Sequence, residues 1–171
     1  CLSKGLTGGY LPLSAVLTTD KVYQAFYDEY TNLTAFLHSH SYTGNALGCA
    51  AALATLDIFE QDHILEANKT LIQCMKDATA HFNKHPHIAE VRQTGMILAI
   101  EMVKDKDTKE AFPWKERRGL KVYQHALKNG VLLRPLGNVI YFMPPYVVTE
   151  EQIKHIAEIA YEGIDLATST K

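Results

Sequence analysis

One lysine near the start of the chain stands in a setting that suits covalent chemistry. Lys4 lies in the segment Ser-Lys-Gly-Leu-Thr-Gly-Gly, residues 3–9. Glycines permit backbone shapes that other residues resist, and they let a second group approach closely. A lysine amine becomes nucleophilic when its pKa falls, and it can then form an imine with an aldehyde. The spacing of the nucleotide-binding glycine loops is absent. On composition alone, a solvated surface lysine is the commoner outcome.

A second polar cluster occupies residues 38–45, with the sequence His-Ser-His-Ser-Tyr-Thr-Gly-Asn. Two imidazoles two residues apart suggest a metal site, but no third ligand has a recognised spacing, so no metal is expected. A nucleophilic serine–histidine pair is disfavoured because no G-x-S-x-G elbow accompanies it. From the residues alone, the default interpretation is a polar loop before a helix.

A third candidate is Arg134, which ends a short apolar stretch and precedes a proline-containing turn. A guanidinium group can bind a carboxylate through two parallel hydrogen bonds. The alternative is a surface arginine paired with a nearby acid, and composition favours that alternative because arginine is usually exposed. The residue types therefore permit a carboxylate site at Arg134 without requiring one.

Apolar periodicity and capping residues predict the elements that position these side chains. The predicted strands cover residues 11–18, 88–94, 96–103, 131–134 and 139–143, and the predicted helices cover 21–28, 45–61, 62–85, 115–128 and a stretch from 149 onward. The last helix opens on Thr-Glu-Glu-Gln at 149–152, the pattern of a capping box. This order predicts a layered α/β or α+β domain. The wide apolar surface of the helix over 45–61 predicts burial. His81, His85 and His87 surround a helix end and are predicted to lie on a polar surface.

Composition limits the class of protein. The 171 residues include 17 basic and 19 acidic side chains, and this balance gives no support to a nucleic-acid partner. Three cysteines without a C-x-x-C pair indicate a reducing, cytoplasmic setting rather than a disulfide framework. The longest apolar stretch, residues 50–59, is too short and interrupted to span a membrane.

Two segments carry a resemblance to a known family. Residues 3–17, Ser-Lys-Gly-Leu-Thr-Gly-Gly-Tyr-Leu-Pro-Leu-Ser-Ala-Val-Leu, resemble the cofactor-lysine segment of the class III pyridoxal-phosphate aminotransferases. Residues 140–146, Ile-Tyr-Phe-Met-Pro-Pro-Tyr, resemble a later segment of the same class. The resemblance implies an α/β fold, the C-terminal part of a fold-type I aminotransferase. The end of the large domain would occupy 1–44, a connecting helix 45–62, and an α+β small domain 63–171.

The resemblance also implies a cofactor site. Lys4 would be the catalytic residue, binding pyridoxal 5′-phosphate as a Schiff base and moving a proton between substrate and cofactor. His40 and Ser41 would bind the cofactor phosphate of the neighbouring subunit in a homodimer. Some members of the class carry Gly-Pro-Thr where this chain has Ser-His-Ser at 39–41, so a hydroxyl is retained at position 41.

The substrate site implied by the resemblance involves three further residues. Ser39 matches a substrate-contacting position. Arg134 matches the arginine that binds the carboxylate of the oxo-acid substrate, and Tyr141 matches a tyrosine that lines the same site. Within the class, the resemblance is strongest to the branch that acts in biotin biosynthesis. That branch transfers an amino group from S-adenosylmethionine to 8-amino-7-oxononanoate and forms 7,8-diaminononanoate.

Two alternatives stay open at this point. One is another class III ω-amino-acid aminotransferase, and the other is a non-catalytic module that dimerises or packs against a partner. The family's subunit is much longer than 171 residues. Its upstream half carries the acid that pairs with the cofactor's pyridine nitrogen, so we expect the isolated chain to be inactive.

Overall fold

The computed structural model describes residues 1–169, which form two compact units, Cys1–Ile64 and the part of the chain from Leu65 onward. The predicted three-part division, with boundaries after residues 44 and 62, stays a prediction. No helix in the described part of the chain is long and apolar enough to cross a bilayer.

The first unit is built from two helices joined by irregular segments. Helix α1 spans Asp20–Gln24, and helix α2 spans Ala46–Gln61. Asn45 begins α2 as predicted, because its side-chain oxygen accepts a hydrogen bond from the Gly48 N–H at 3.0 Å. Helix α1 is shorter than predicted and has no buried residue.

The predicted strand over 11–18 is wrong. Only Ala15 pairs with another segment, in an isolated antiparallel bridge to Leu2. The two residues exchange backbone hydrogen bonds of 2.8 and 2.9 Å. A strand needs a neighbour along its whole length to satisfy its backbone groups, and the first unit supplies one at a single position.

Helix α2 shows that an apolar surface is not always a buried one. Its buried residues are Gly48 and Ala52, and the predicted burial of its larger side chains is wrong for this chain. Four large apolar side chains on α2 are between 53 and 72% exposed: Leu47, Leu53, Leu56 and Ile58. Within residues 1–169, nothing covers this set of side chains.

The second unit is a four-stranded antiparallel sheet with helices on one face. The strands lie in the order β1-β2-β4-β3, so β1 and β3 form the edges. The strands are β1 Ile88–Thr94, β2 Ile97–Met102, β3 Arg134–Leu136 and β4 Val139–Phe142. The helices are α3 Ile64–Thr79, α4 Arg118–Lys128 and α5 Glu150–Ser169.

Alternation along the strands divides the sheet into a buried face and an open face. The buried face contributes Leu98, Ile100, Ile140 and Phe142, none more than 3% exposed. Apolar side chains of the helices complete this core, among them Val122, Ala126, Ile153, Ala160 and Ile164. Burial of this apolar surface is the main force that holds the unit together.

The predicted strand boundaries match the structure at β1 and lie within one residue of it at β2 and β4, but they do not match at β3. The predicted strand ended at Arg134, whereas β3 begins there and runs through Pro135. Proline interrupts a central strand because it has no N–H, but an edge strand tolerates it. Helix α4 likewise begins three residues later than predicted, at Arg118, after a left-handed residue at Arg117.

The predicted capping box at the start of α5 is confirmed. The Thr149 N–H donates to the Gln152 side-chain oxygen at 2.9 Å. The Gln152 N–H donates in return to the Thr149 hydroxyl at 3.2 Å. These reciprocal bonds satisfy backbone donors that the helix itself leaves free.

His85 lies in the core, so its predicted surface position is wrong. Its side chain is 3% exposed and packs edge-on against the Tyr161 ring. The His87 N–H donates to His85 Nδ1 at 3.0 Å, which places the proton of the neutral ring on Nε2. Nε2 lies 3.7 Å from Asp165 Oδ1. Burial lowers the pKa of His85, aided by His87 and Lys106 and opposed by Asp165.

This burial predicts that the second unit is less stable in acid. The unfolded imidazole binds a proton near its ordinary pKa of 6.5, whereas the folded one binds it only at lower pH. The free energy of unfolding should therefore be highest above pH 6.5 and fall as pH decreases through the folded pKa. Urea unfolding between about pH 5 and pH 8 measures this. His85→Asn, which keeps an acceptor, should flatten the dependence, and His155→Asn, at an exposed site, should not. Equal slopes for both variants would contradict the assignment.

Candidate functional site

Lys4 adopts an uncommon backbone conformation. It opens a 3-10 turn over Lys4–Thr7 with φ +54°, in the left-handed region that side chains other than glycine rarely enter. Such residues persist where the surroundings hold them, and they concentrate at functional sites. The Lys4 side chain is exposed. Within residues 1–169, no acidic side chain lies within 4.0 Å of its amine.

The turn that carries Lys4 is held in place on both sides. Its last residue, Thr7, is buried and donates from its hydroxyl to the Leu11 carbonyl at 2.5 Å. Helix α2 packs against the turn. Space is nevertheless open beside Lys4, since a Cβ added to Gly5 or Gly9 would meet no atom within 4 Å. The turn thus presents an exposed amine beside two exposed glycines that place no side chain next to it.

The polar loop at 38–45 folds into a turn directly before α2. The His40 N–H donates to the Thr43 hydroxyl at 3.1 Å, and the Thr43 N–H donates to the His40 carbonyl at 2.9 Å. Gly44 closes the turn with φ +71°. The side chains of Ser39, His40 and Ser41 are all exposed. The loop therefore offers two hydroxyls and an imidazole to a ligand.

The structure shows the two parts of the predicted cofactor site in the same unit but joins them by no direct bond. No hydrogen bond within residues 1–169 links Lys4 to Ser39, His40 or Ser41. The His38 and His40 rings contact each other edge-on, with centroids 5.1 Å apart. Within the same residues, no three His, Cys, Asp or Glu side chains group closely enough to hold a metal ion.

The second unit brings Arg134 and Tyr141 together. They are directly opposed across the antiparallel strands β3 and β4, so both side chains lie on the open face of the sheet. Arg134 is exposed and Tyr141 is half-buried. Leu132 and Leu136, at 69 and 70% exposure, flank Arg134. An exposed guanidinium between apolar side chains suits an aliphatic carboxylate.

A row of four residues crosses the open face, and sequence reasoning missed it. Strand register aligns Arg92, Ala99, Tyr141 and Arg134 on β1, β2, β4 and β3. The β1 and β2 strands were predicted, but the order β1-β2-β4-β3 was not. In that order β1 and β3 are the edge strands, so an arginine lies at each end of the row.

The two arginines of the row differ in electrostatic setting. Arg92 makes salt bridges to Glu90 and Glu101, and hydrogen bonds to these carboxylates raise the pKa of its guanidinium. Arg134 has no carboxylate within 4.0 Å among the described residues. The Arg92 guanidinium is therefore paired with two carboxylates of this chain, whereas the Arg134 guanidinium is available to a ligand.

Comparison with known proteins identifies the family. The sequence model of the family described as "Aminotransferase class-III" matches residues 1–162. The chain belongs to this family, and the resemblance inferred from residues 3–17 is confirmed.

More specific relatives share one name. The adenosylmethionine-8-amino-7-oxononanoate aminotransferase of Anoxybacillus flavithermus is 45% identical over 163 residues, 95% of this chain and 36% of that protein. The crystal structure of the enzyme of that name from Methanocaldococcus jannaschii matches with a TM-score of 0.88 and 42% identity, covering 96% of this chain and 37% of that one. The crystal structure of a PMP-bound aminotransferase from Vibrio fluvialis matches with a TM-score of 0.84 and 27% sequence identity. The match covers 96% of this chain and 36% of that one.

These matches confirm the predicted α/β aminotransferase fold. The chain spans little more than a third of the length of the relatives it matches.

Proposed function

We propose that this chain is part of a pyridoxal-phosphate-dependent aminotransferase of biotin biosynthesis. The complete enzyme transfers the amino group of S-adenosylmethionine to the oxo carbon of 8-amino-7-oxononanoate and forms 7,8-diaminononanoate. The observation that carries the reaction class is Lys4, an exposed amine held in a left-handed conformation beside open space. The name shared by the relatives supports the choice of substrates.

The residues present fit the cofactor. An aldehyde needs a free amine, and the Lys4 amine has no carboxylate partner in the described part of the chain. A planar ring needs room, and the glycines beside Lys4 leave it. A phosphate needs donors, and the turn before α2 offers the exposed hydroxyl of Ser41 and the ring of His40. Hydroxyl and N–H donors ahead of a helix are a common arrangement for phosphate.

Lys4 has two tasks in this mechanism. Its Nζ would hold the cofactor at the aldehyde carbon, an attachment that forms with loss of water and that the amine of the amino donor would replace. The freed Nζ would then take the proton from the donor carbon that bears nitrogen and pass a proton on toward the cofactor. Pyridoxal phosphate supplies the sink for the electrons left on that carbon. In the second half-reaction Lys4 moves the proton in the opposite direction, toward the former oxo carbon of the acceptor.

His40 and Ser41 act across a subunit boundary in this proposal. We place them on the cofactor phosphate of the neighbouring subunit of a homodimer, with Ser39 on the substrate. Their exposure within residues 1–169 leaves them accessible to such a neighbour. The three free cysteines agree with a cytoplasmic enzyme.

Arg134 and Tyr141 hold the acceptor by its carboxylate end. The guanidinium binds both carboxylate oxygens, and the opposed tyrosine adds a hydroxyl on the same sheet face. Leu132 and Leu136 beside Arg134 offer apolar contact to a methylene chain. Binding at the far end of the acceptor orients its oxo carbon without requiring any reaction at Arg134.

The first test concerns Lys4. In a protein of the relatives' full length that carries this chain, we expect Lys4→Ala to abolish the covalent adduct with pyridoxal phosphate after borohydride reduction, detected by mass. The adduct is lost because the variant removes the only atom proposed to bond the aldehyde. Lys21→Ala, an exposed lysine of the same unit, should leave the adduct unchanged. An adduct of undiminished yield in Lys4→Ala would refute the lysine assignment.

The second test concerns Arg134. Arg134→Ala should raise the dissociation constant of 8-amino-7-oxononanoate by about ten- to a hundredfold, the loss of about 1.5–3 kcal/mol expected for hydrogen bonds to a charged group. Calorimetric titration measures this. Affinity for pyridoxal phosphate should not change. Arg134→Lys should give an intermediate dissociation constant, because lysine keeps the positive charge but cannot form the two parallel hydrogen bonds of a guanidinium.

A control and a contrary result define this test. Arg117→Ala removes an exposed arginine of the same unit that lies outside the sheet, and it should have no effect on acceptor affinity. Equal losses of acceptor and cofactor affinity in Arg134→Ala would count against a carboxylate role. Amino transfer from ω-amino acids with none from S-adenosylmethionine would reassign the enzyme to another branch of the family.

A further inference from the structure

Helix α4 touches the hairpin of β3 and β4 so closely that only glycine fits at the contact. Gly119 is buried in the first turn of α4. A Cβ placed on it would lie 2.3 Å from the Gly137 carbonyl oxygen and 2.7 Å from Pro135 Cβ. Pro135 follows Arg134 in β3, and Gly137 forms the turn to β4. The contact therefore lies directly behind the residues that present Arg134.

The start of α4 is itself fixed. The Arg118 guanidinium stacks on the Phe112 ring at 4.1 Å, and its Nε donates to Glu116 at 2.6 Å. Another of its nitrogens donates to the carbonyl of Ala167 near the end of α5. Arg118 thus ties Gly119 to the helical layer, so the helix is the rigid partner in the contact with the hairpin.

The hairpin turn is also held from other directions. The Trp114 ring lies over Gly137, where a Cβ would come within 2.7 Å of it. The Asn138 side chain donates to the Phe112 carbonyl at 2.8 Å, and the Asn138 carbonyl accepts from the Met102 N–H at 2.9 Å. The turn therefore lies between α4 on one side and Trp114, Phe112 and Met102 on the others.

We infer that Gly119 is a positioning residue for Arg134. Because Gly119 has no side chain, the β3–β4 hairpin packs directly on α4, and this contact sets the position of the hairpin and of the Arg134 guanidinium that it carries. This inference rests on the proposed role of Arg134 in binding the acceptor carboxylate. The geometry implies a size limit as well as a contact. A methyl group at Gly119 would displace the hairpin by on the order of 1 Å. A misplacement of this size can lower the rate of an enzyme by about a hundredfold.

A double-mutant cycle in a protein of the relatives' full length tests the inference. Gly119→Ala should weaken binding of 8-amino-7-oxononanoate by about tenfold, with affinity for pyridoxal phosphate and KM for S-adenosylmethionine unchanged. In an Arg134→Ala background the same substitution should cause no further loss, because it acts through Arg134. A merely structural effect would add to the loss caused by Arg134→Ala.

Gly163→Ala provides the matched control. It also adds a methyl group to a buried helical glycine at the contact of α4 with α5, 3.1 Å from Val122 Cγ1, but away from the hairpin. It should lower the melting temperature and leave acceptor affinity unchanged. Weaker acceptor binding in Gly163→Ala, to the extent seen in Gly119→Ala, would overturn the inference.

A second variant keeps the test decisive if Gly119→Ala does not fold. Trp114→Ala removes a ring that is 76% exposed, so it costs little core packing, and it frees the turn at Gly137. It should weaken acceptor binding several-fold, and only while Arg134 is present. Unchanged acceptor binding in Trp114→Ala would overturn the inference. If Arg134→Ala alone leaves acceptor binding unchanged, the proposed function of Arg134 fails, and the inference fails with it.

Discussion

The register of β4 between β2 and β3 is the constraint on which the second unit depends. Successive side chains of a strand point to opposite faces, so a slip of one residue would exchange the two faces completely. Tyr141 would then enter the core, and Ile140 would face outward. The observed pairing sets Tyr141 opposite Arg134 on one side and Ala99 on the other. Burial of Ile140 and Phe142 stabilises this register, so packing on one face determines the chemistry presented on the other.

Sequence reasoning succeeded where local patterns decide the structure. The strand at Ile88–Thr94 and the capping box at Thr149 follow from alternation and from hydrogen bonds within four residues. The candidate residues were also identifiable, because Lys4 lies among glycines and Arg134 ends an apolar stretch. Their roles came from resemblance to a family, since neither residue type specifies a ligand. Family membership is now confirmed, and the individual roles stay proposals.

Contacts between distant segments could not be predicted. No local signal gives the strand order that aligns Arg92 with Arg134, and the burial of His85 depends on α5, eighty residues further along the chain. The predicted strand at 11–18 is wrong for the same reason, because a strand depends on a neighbouring segment to pair with and only Ala15 has one. Helix α2 shows the converse. Its composition predicted burial, but within residues 1–169 its leucines remain uncovered, which fits a chain that spans about a third of its relatives.

The proline of β3 has a consequence for the molecule in solution. An edge strand carries free backbone N–H and C=O groups that can pair with an edge of another molecule and so begin aggregation. Strand β3 is only three residues long, and its middle residue, Pro135, has no N–H to donate. The edge that presents Arg134 to solvent is therefore a poor template for a further strand. This sheet can leave a charged, ligand-accessible edge uncovered without inviting a second copy to extend it.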